Sequence, residues 1–165
     1  MRRIVTSVVT AALIIYAATA SAQLRTERNI TLALANEIAT AAVEACQTKG
    51  FSVTATVVDR AGQVKAVQRA DGGGAGPHTI DSSRRKAYTA VSMGFGTSQM
   101  LETVQKNPGA QYLPSIDGLL FVGGGMPIKA GKEIVGGLGV AGAPGGHLDD
   151  QCAETALAKV KEKLQ

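Results

Sequence analysis

Residues 51–69 read FSVTATVVDRAGQVKAVQR, two extended segments on either side of a tight turn. Residues 51–60 are rich in β-branched side chains, and residues 63–69 alternate between apolar and polar side chains. Both patterns are typical of β-strands, and Ala61 and Gly62 between them supply the turn. The sequence therefore predicts a β-hairpin over residues 51–69.

Helical patterns lie on both sides of this hairpin. Apolar residues recur at helical spacing before it, and Gly50 supplies a stop signal. After it, the glycine-rich segment 71–77 predicts a loop, and Thr79 or Asp81 can cap the helix that follows. Helices are predicted over residues 32–49, 79–93, 97–106 and from about 149, and further strands over 118–122, 126–129 and 133–141. Helices that flank hairpins, rather than alternating strictly with strands, favour an α+β fold with an antiparallel sheet.

The amino terminus, residues 1–22, has the layout of a secretory signal peptide. It reads MRRIVTSVVTAALIIYAATASA, with two arginines, an apolar run and a small-residue cleavage site, and Gln23 follows. The apolar run is shorter than the ~20 residues of a spanning helix, although an uncleaved anchor is the alternative. We expect a mature domain over residues 23–165 that is periplasmic or secreted and has no membrane segment after cleavage.

Composition argues against a nucleic-acid partner. The net charge of +4 falls to +2 once the two arginines of the leader are removed. Nucleic-acid-binding domains normally carry a much stronger basic stripe. Tryptophan is absent and aromatic residues are 4% of the chain, so base stacking is also unsupported.

Three short motifs resemble known sites but lack the context those sites need. Residues 137–142 match GxGxxG, yet no strand with an acidic residue follows as a dinucleotide site requires. Residues 125–132 are one residue too long for a P-loop. Residues 83–86 match SxxK, but the SDN and KTG motifs of the penicillin-binding enzymes are absent.

The chain has two cysteines, Cys46 and Cys152, and neither belongs to a CxxC motif. Exported compartments permit disulfides, and a bond between residues so far apart would close a long loop. Two buried free thiols are the alternative.

Two histidines lie beside glycines. His78 follows Gly76 and Pro77 at the start of a predicted helix that also carries Arg84, Arg85 and Lys86. A neutral imidazole can bind a metal or haem iron, and guanidinium groups suit carboxylates such as the haem propionates. A solvent-facing loop histidine is the simpler interpretation of the same residues. His147 is interpreted as a helix-cap or surface residue.

Two long stretches resemble the GlcG/HbpS-like haem-binding family. They are VVDRAGQVKAVQRADGGGAGPHTIDSSRRKAYTA and GLLFVGGGMPIKAGKEIVGGLGVAGAPGGHLDDQCA, and the resemblance extends over about residues 32–160. It implies a profilin-like α+β fold, in which helices flank a five-stranded antiparallel sheet, and assembly into a homo-oligomer. It also implies binding of haem or a related tetrapyrrole.

The resemblance also implies which residues form the site. The positions carried over are His78, Arg84, Lys86, Tyr88 and Thr89, with His78 as the ligand of the iron. His147 stands where relatives carry an acid and has less weight. Because the terminal helices share one side of the sheet in a profilin-like arrangement, we expect Cys46 and Cys152 to form a disulfide.

Two functions of different classes are consistent with this site. The first is an exported haem-binding protein, not an enzyme, that sequesters haem or passes it on. The second is a protein that binds a small carboxylate such as a 2-hydroxy acid, or an accessory enzyme of its catabolism. In the second case the basic helix start would bind the anion, with His78 or Tyr88 as the general base.

Overall fold

The computed structural model describes residues 25–72 and 74–165, so the signal peptide predicted over residues 1–22 lies outside the described residues. The elements in chain order are α1 (Leu32–Gln47), β1 (Thr54–Asp59), β2 (Val64–Arg69), α2 (His78–Met93), α3 (Thr97–Lys106), β3 (Gly125–Ala130), β4 (Glu133–Ala141) and α4 (Gly146–Lys159). None of the helices in these residues combines the length and apolarity needed to cross a bilayer.

The start of α1 follows local capping chemistry, whereas the start of α2 departs from expectation. The Thr31 hydroxyl accepts a hydrogen bond from the Leu34 amide at the start of α1. Neither Thr79 nor Asp81 caps α2: Pro77 occupies the capping position, and the Thr79 hydroxyl donates back to the Gly76 carbonyl. Helix α2 therefore begins at His78, before either of the expected capping residues.

The four strands form an antiparallel sheet in the order β2–β1–β4–β3. The β1–β2 hairpin confirms the prediction for residues 51–69. In the centre of the sheet, Thr56 of β1 lies opposite Val67 of β2 and Gly139 of β4. Each central strand therefore has a partner on both sides, and β2 and β3 form the two edges.

The expectation of five strands is wrong, because residues 118–122 do not join the sheet. Their backbone is bound by side chains of α2. The Leu120 amide donates to the Thr89 hydroxyl at 2.7 Å, and the Leu119 carbonyl accepts from Arg85 at 2.9 Å. The helix thus supplies partners that a neighbouring strand would otherwise provide, so the apolar residues of this segment are packed without strand pairing.

Helices cover both faces of the sheet. Helices α1 and α4 pack together on one face, where Ile38, Val57 and Leu138 belong to the main hydrophobic core. Helix α2 lies on the other face, against β1 and β4. The expected α+β arrangement of an antiparallel sheet flanked by helices is therefore present.

Helix α2 approaches β4 unusually closely. A Cβ atom added at Gly139 would overlap the carbonyl oxygen of Ser83. Two hydroxyl pairs also join α2 to β1, between Thr54 and Thr79 and between Thr56 and Ser83, each at 2.7 Å. The glycine therefore allows backbone contact between helix and strand, and the hydroxyl pairs fix the position of the start of α2 over the sheet.

Cys46 of α1 and Cys152 of α4 form the expected disulfide. Their Cα atoms are 5.3 Å apart and both side chains are fully buried. The separation is within the usual range for disulfides. The bond joins the first and last helices on one face of the sheet.

Candidate functional site

An open pocket lies where the start of α2, the end of β4 and the first turn of α4 meet. Its volume is about 330 Å³, at the small end of the range for ligand sites. One wall is the α2 surface, a second is Leu120 and Val122, and a third is the small-residue segment 141–146. Each wall thus comes from a different part of the chain.

The α2 wall carries the polar groups of the pocket. His78, Ser82 and Lys86 line it, and their spacing of four residues places them on one face of the helix. His78 is exposed, and its imidazole lies so close to the Gly76 backbone that a Cβ atom there would be 2.9 Å from Nδ1. The imidazole is therefore available to a ligand at the mouth of the pocket.

A buried ion pair lies at the inner end of this wall. The Lys86 ammonium donates to an Asp149 carboxylate oxygen at 2.8 Å, and each side chain is only 4% exposed. Lys86 also donates to the Val140 carbonyl at 2.9 Å, and the other Asp149 oxygen accepts from the Ala143 amide at 3.1 Å. Burial raises the pKa of the Asp149 carboxyl above its usual value, while the Lys86 charge acts in the opposite direction.

The remaining residues expected at the site lie away from the pocket lining. Arg84 is exposed and pairs with Asp81 at 2.8 Å on the outer surface of α2. The Tyr88 ring packs against the backbone of Gly62 in the β1–β2 turn. Thr89 is buried, and its hydroxyl accepts from Leu120 as described above. Of the five expected residues, the pocket thus brings together His78 and Lys86.

Sequence reasoning missed Asp149 and the segment 141–146 as parts of the site. A signal for Asp149 existed, because it lies three residues before Cys152, on the same helical stripe as the apolar residues Ala156 and Val160. An acidic residue on a buried stripe requires a partner. His147, by contrast, is exposed, and its ring lies against the Gly145 backbone instead of lining the pocket.

No group of three or more His, Cys, Asp or Glu side chains that could hold a metal ion occurs among residues 25–72 and 74–165.

Residues 30–158 match the family model described as "Haem degrading protein HbpS-like". The chain belongs to the HbpS-like family. A crystal structure of a double mutant of Streptomyces reticuli HbpS is 38% identical, with a TM-score of 0.78, and the alignment covers 94% of this chain and 98% of that one. The chain therefore shares the fold of this HbpS structure as well as its family.

Two further relatives are informative about this HbpS-like chain. An uncharacterised 15.0 kDa protein from Citrobacter freundii, encoded between dhaT and dhaS, is 34% identical over 132 residues, which is 78% of this chain and 89% of that protein. A crystal structure of PduOC in complex with haem is 25% identical, with a TM-score of 0.69, and covers 79% of this chain and 94% of that one. The family and the haem complex together indicate a haem-related binding function.

Proposed function

We propose that the protein is an exported haem-binding protein that sequesters haem or passes it on, with the porphyrin seated at the pocket between α2 and segment 141–146. The observation that carries the proposal is the exposed His78 imidazole at the mouth of this pocket. The HbpS-like family and its haem-complexed member support the choice of ligand.

The pocket chemistry suits a flat, largely apolar ring with an iron at its centre. Leu120 and Val122 offer apolar contact, and the glycines of segment 141–146 admit close approach to the backbone. At about 330 Å³ the pocket takes one edge of the macrocycle, and the rest lies against the surrounding surface. Bound haem would supply the iron, while the protein supplies an axial ligand and the ring contacts.

Each residue expected from the resemblance has a role in this proposal. His78 binds the iron. Lys86 uses two of its three N–H donors on Val140 and Asp149, and the third remains for a propionate. Arg84 lies outside the pocket lining, so it would contact a propionate only where the ring extends beyond the pocket, and only by leaving Asp81. Thr89 acts indirectly, because its hydroxyl accepts from the Leu120 amide in a pocket wall. Tyr88 also acts indirectly, because its ring packs against Gly118, two residues before Leu120.

Haem titration of the purified protein tests the proposal. We expect a shifted Soret band on binding, which His78→Ala perturbs and His147→Ala leaves unchanged. His147 is a matched control, since it is also an exposed histidine beside glycines near a helix start. Arg84→Ala should weaken binding by ~1–3 kcal/mol if its propionate bond is charge-assisted.

The same titration can refute the proposal. A His78 variant with the wild-type spectrum and affinity would exclude it as the ligand, and loss of both in the His147 variant would assign that role to His147. A Soret band that decays with time would indicate haem breakdown instead of storage or transfer.

The second candidate is binding of a small carboxylate. The observation in its favour is the small volume of the pocket, together with the glycine-rich start of α4 in its lining, where free amides favour an anion. His78 would then be the general base, because Tyr88 lies outside the lining. Stabilisation by 2-hydroxy acids in thermal melts, with no Soret shift on adding haem, would establish this function in place of the first.

Export and self-assembly complete the proposal. We propose that residues 1–22 are removed, and the disulfide supports this because such bonds persist in oxidising compartments. Intact mass of the product from the native host should correspond to a chain that begins at Gln23, with or without pyroglutamate. A full-length mass in the soluble fraction would contradict it. Light scattering should give the mass of a homo-oligomer.

A further inference from the structure

The ion pair of Lys86 and Asp149 joins two walls of the pocket, α2 and segment 141–146, at one buried point. Lys86 extends from α2 to the Val140 carbonyl near the end of β4. Asp149, in the first turn of α4, accepts from Lys86 with one oxygen and from the Ala143 amide with the other. Few pairs of side chains could tie α2, β4, α4 and segment 141–146 together so directly.

We propose that Asp149 is a positioning residue: by binding the Lys86 ammonium and the Ala143 amide, it holds segment 141–146 at the distance from α2 that the ligand requires. The inference rests on the proposed function of this pocket. It assigns to Asp149 an effect on affinity that acts through Lys86 and Ala143, since each carboxylate oxygen accepts from one of these residues.

Stability alone does not account for an ion pair at this place. Desolvation of two buried charges offsets most of their attraction, so an apolar pair of similar size would stabilise the fold about as well. Unlike an apolar pair, charged partners form directional hydrogen bonds, and each bond fixes the position of its donor relative to its acceptor. Here one bond of Asp149 fixes the Ala143 amide, in the segment between β4 and α4 that forms a pocket wall.

Asp150, the next residue, provides a matched control. Its carboxylate accepts from the Gly124 amide and from the Ser98 hydroxyl. Like Asp149, it accepts from one backbone amide and one side chain, but its side-chain partner is a neutral hydroxyl and neither partner lines the pocket. Asp150→Asn should therefore show the effect of losing a carboxylate from this helical turn without moving segment 141–146.

The test uses the full mature chain and haem as the probe. Asp149→Asn keeps Lys86 but removes its anionic partner. Lys86→Met combined with Asp149→Ala removes both charges, so that no unpaired charge remains buried and the fold is retained. We measure haem affinity, the melting temperature, and hydrogen exchange of the Ala143 amide in the ligand-free protein.

We expect haem affinity to fall about tenfold in both the single and the double variant, as for other groups that orient a binding site from behind. The double variant should keep a melting temperature near that of wild type. Exchange at Ala143 should be about tenfold faster in the double variant, because its acceptor is gone, but unchanged in Asp150→Asn.

Three results would overturn the proposal. The first is unchanged affinity in the double variant. The second is wild-type haem affinity in a folded Asp149→Asn variant. Lys86 would then contribute by direct contact with the ligand, without help from Asp149. The third is slow Ala143 exchange in every variant. If wild type itself binds no haem, the proposed function fails, and Ala143 exchange alone decides whether the pair positions the segment.

Discussion

Replacing Cys46 and Cys152 together by alanine should strongly destabilise the protein. The bond closes a loop with a sequence separation of 106 residues. In the chain-entropy model, a loop of this length restricts the unfolded chain enough to contribute about 4.7 kcal/mol to the free energy of unfolding. For a domain of this size, that corresponds to a fall of roughly 15 °C in melting temperature.

The assay is thermal and urea unfolding of three samples: wild type, wild type with a reductant, and the double alanine variant. Reduced wild type keeps both sulfur atoms but lacks the bond. It therefore separates the effect of the cross-link from that of the small cavities that alanine leaves in the core. Both altered samples should melt far below oxidised wild type, with reduced wild type slightly above the variant.

Two results would refute this reasoning. If the variant melts within about 3 °C of wild type, the cross-link does not restrict the unfolded chain as the model requires. If thiol labelling of unfolded, unreduced protein finds two free thiols, the bond does not form in solution.

Two other substitutions probe the sheet and its packing. The Arg60 side chain hydrogen-bonds Glu133 and holds the pKa of its carboxyl below the ordinary value. This pair therefore stabilises the fold above about pH 4.3, and its contribution is lost as pH falls through the lowered pKa. Glu133→Gln should lower the melting temperature at pH 7 but not in strong acid; an equal loss at every pH would contradict this. Gly139→Ala should cost ~1–3 kcal/mol in urea unfolding, because the new methyl overlaps Ser83 of α2; an unchanged midpoint would show that α2 can move away freely.

Local patterns in the sequence were sufficient for much of the fold. The hairpin over residues 51–69 follows from alternation and turn chemistry within one short segment. Helix α1 follows from apolar spacing and a glycine stop, and its predicted end at residue 49 is two residues beyond the observed Gln47. These elements depend on neighbours in sequence, so the information is contained in the segment itself.

Residues 118–122 show where such patterns stop being sufficient. Their apolar side chains predicted a strand, and Leu119 and Phe121 are indeed buried. Burial of the side chains does not specify, however, which groups hydrogen-bond the backbone of this segment. That partner is α2, some 30 residues earlier in the chain, through Thr89 and Arg85.

The candidate site likewise contains residues that the sequence indicated and a contact that only the tertiary structure shows. Family motifs and residue chemistry pointed to His78 and Lys86, and both line the pocket. Nothing in the spacing of Asp149 identified Lys86 as its partner, 63 residues away, although its place on an apolar stripe marked it as unusual.

The sequence by itself determined the elements, the hairpin, the family and two of the residues that line the pocket. Each of these follows from short-range periodicity or from family motifs that occur in the expected order. Only the tertiary structure decided that the sheet has four strands, that Arg84 points to the surface, and that Asp149 joins Lys86 to Ala143 beneath the pocket. The physical reason is that a buried charge or backbone group takes whichever partner the packed fold brings within hydrogen-bond distance, and sequence spacing does not specify that distance.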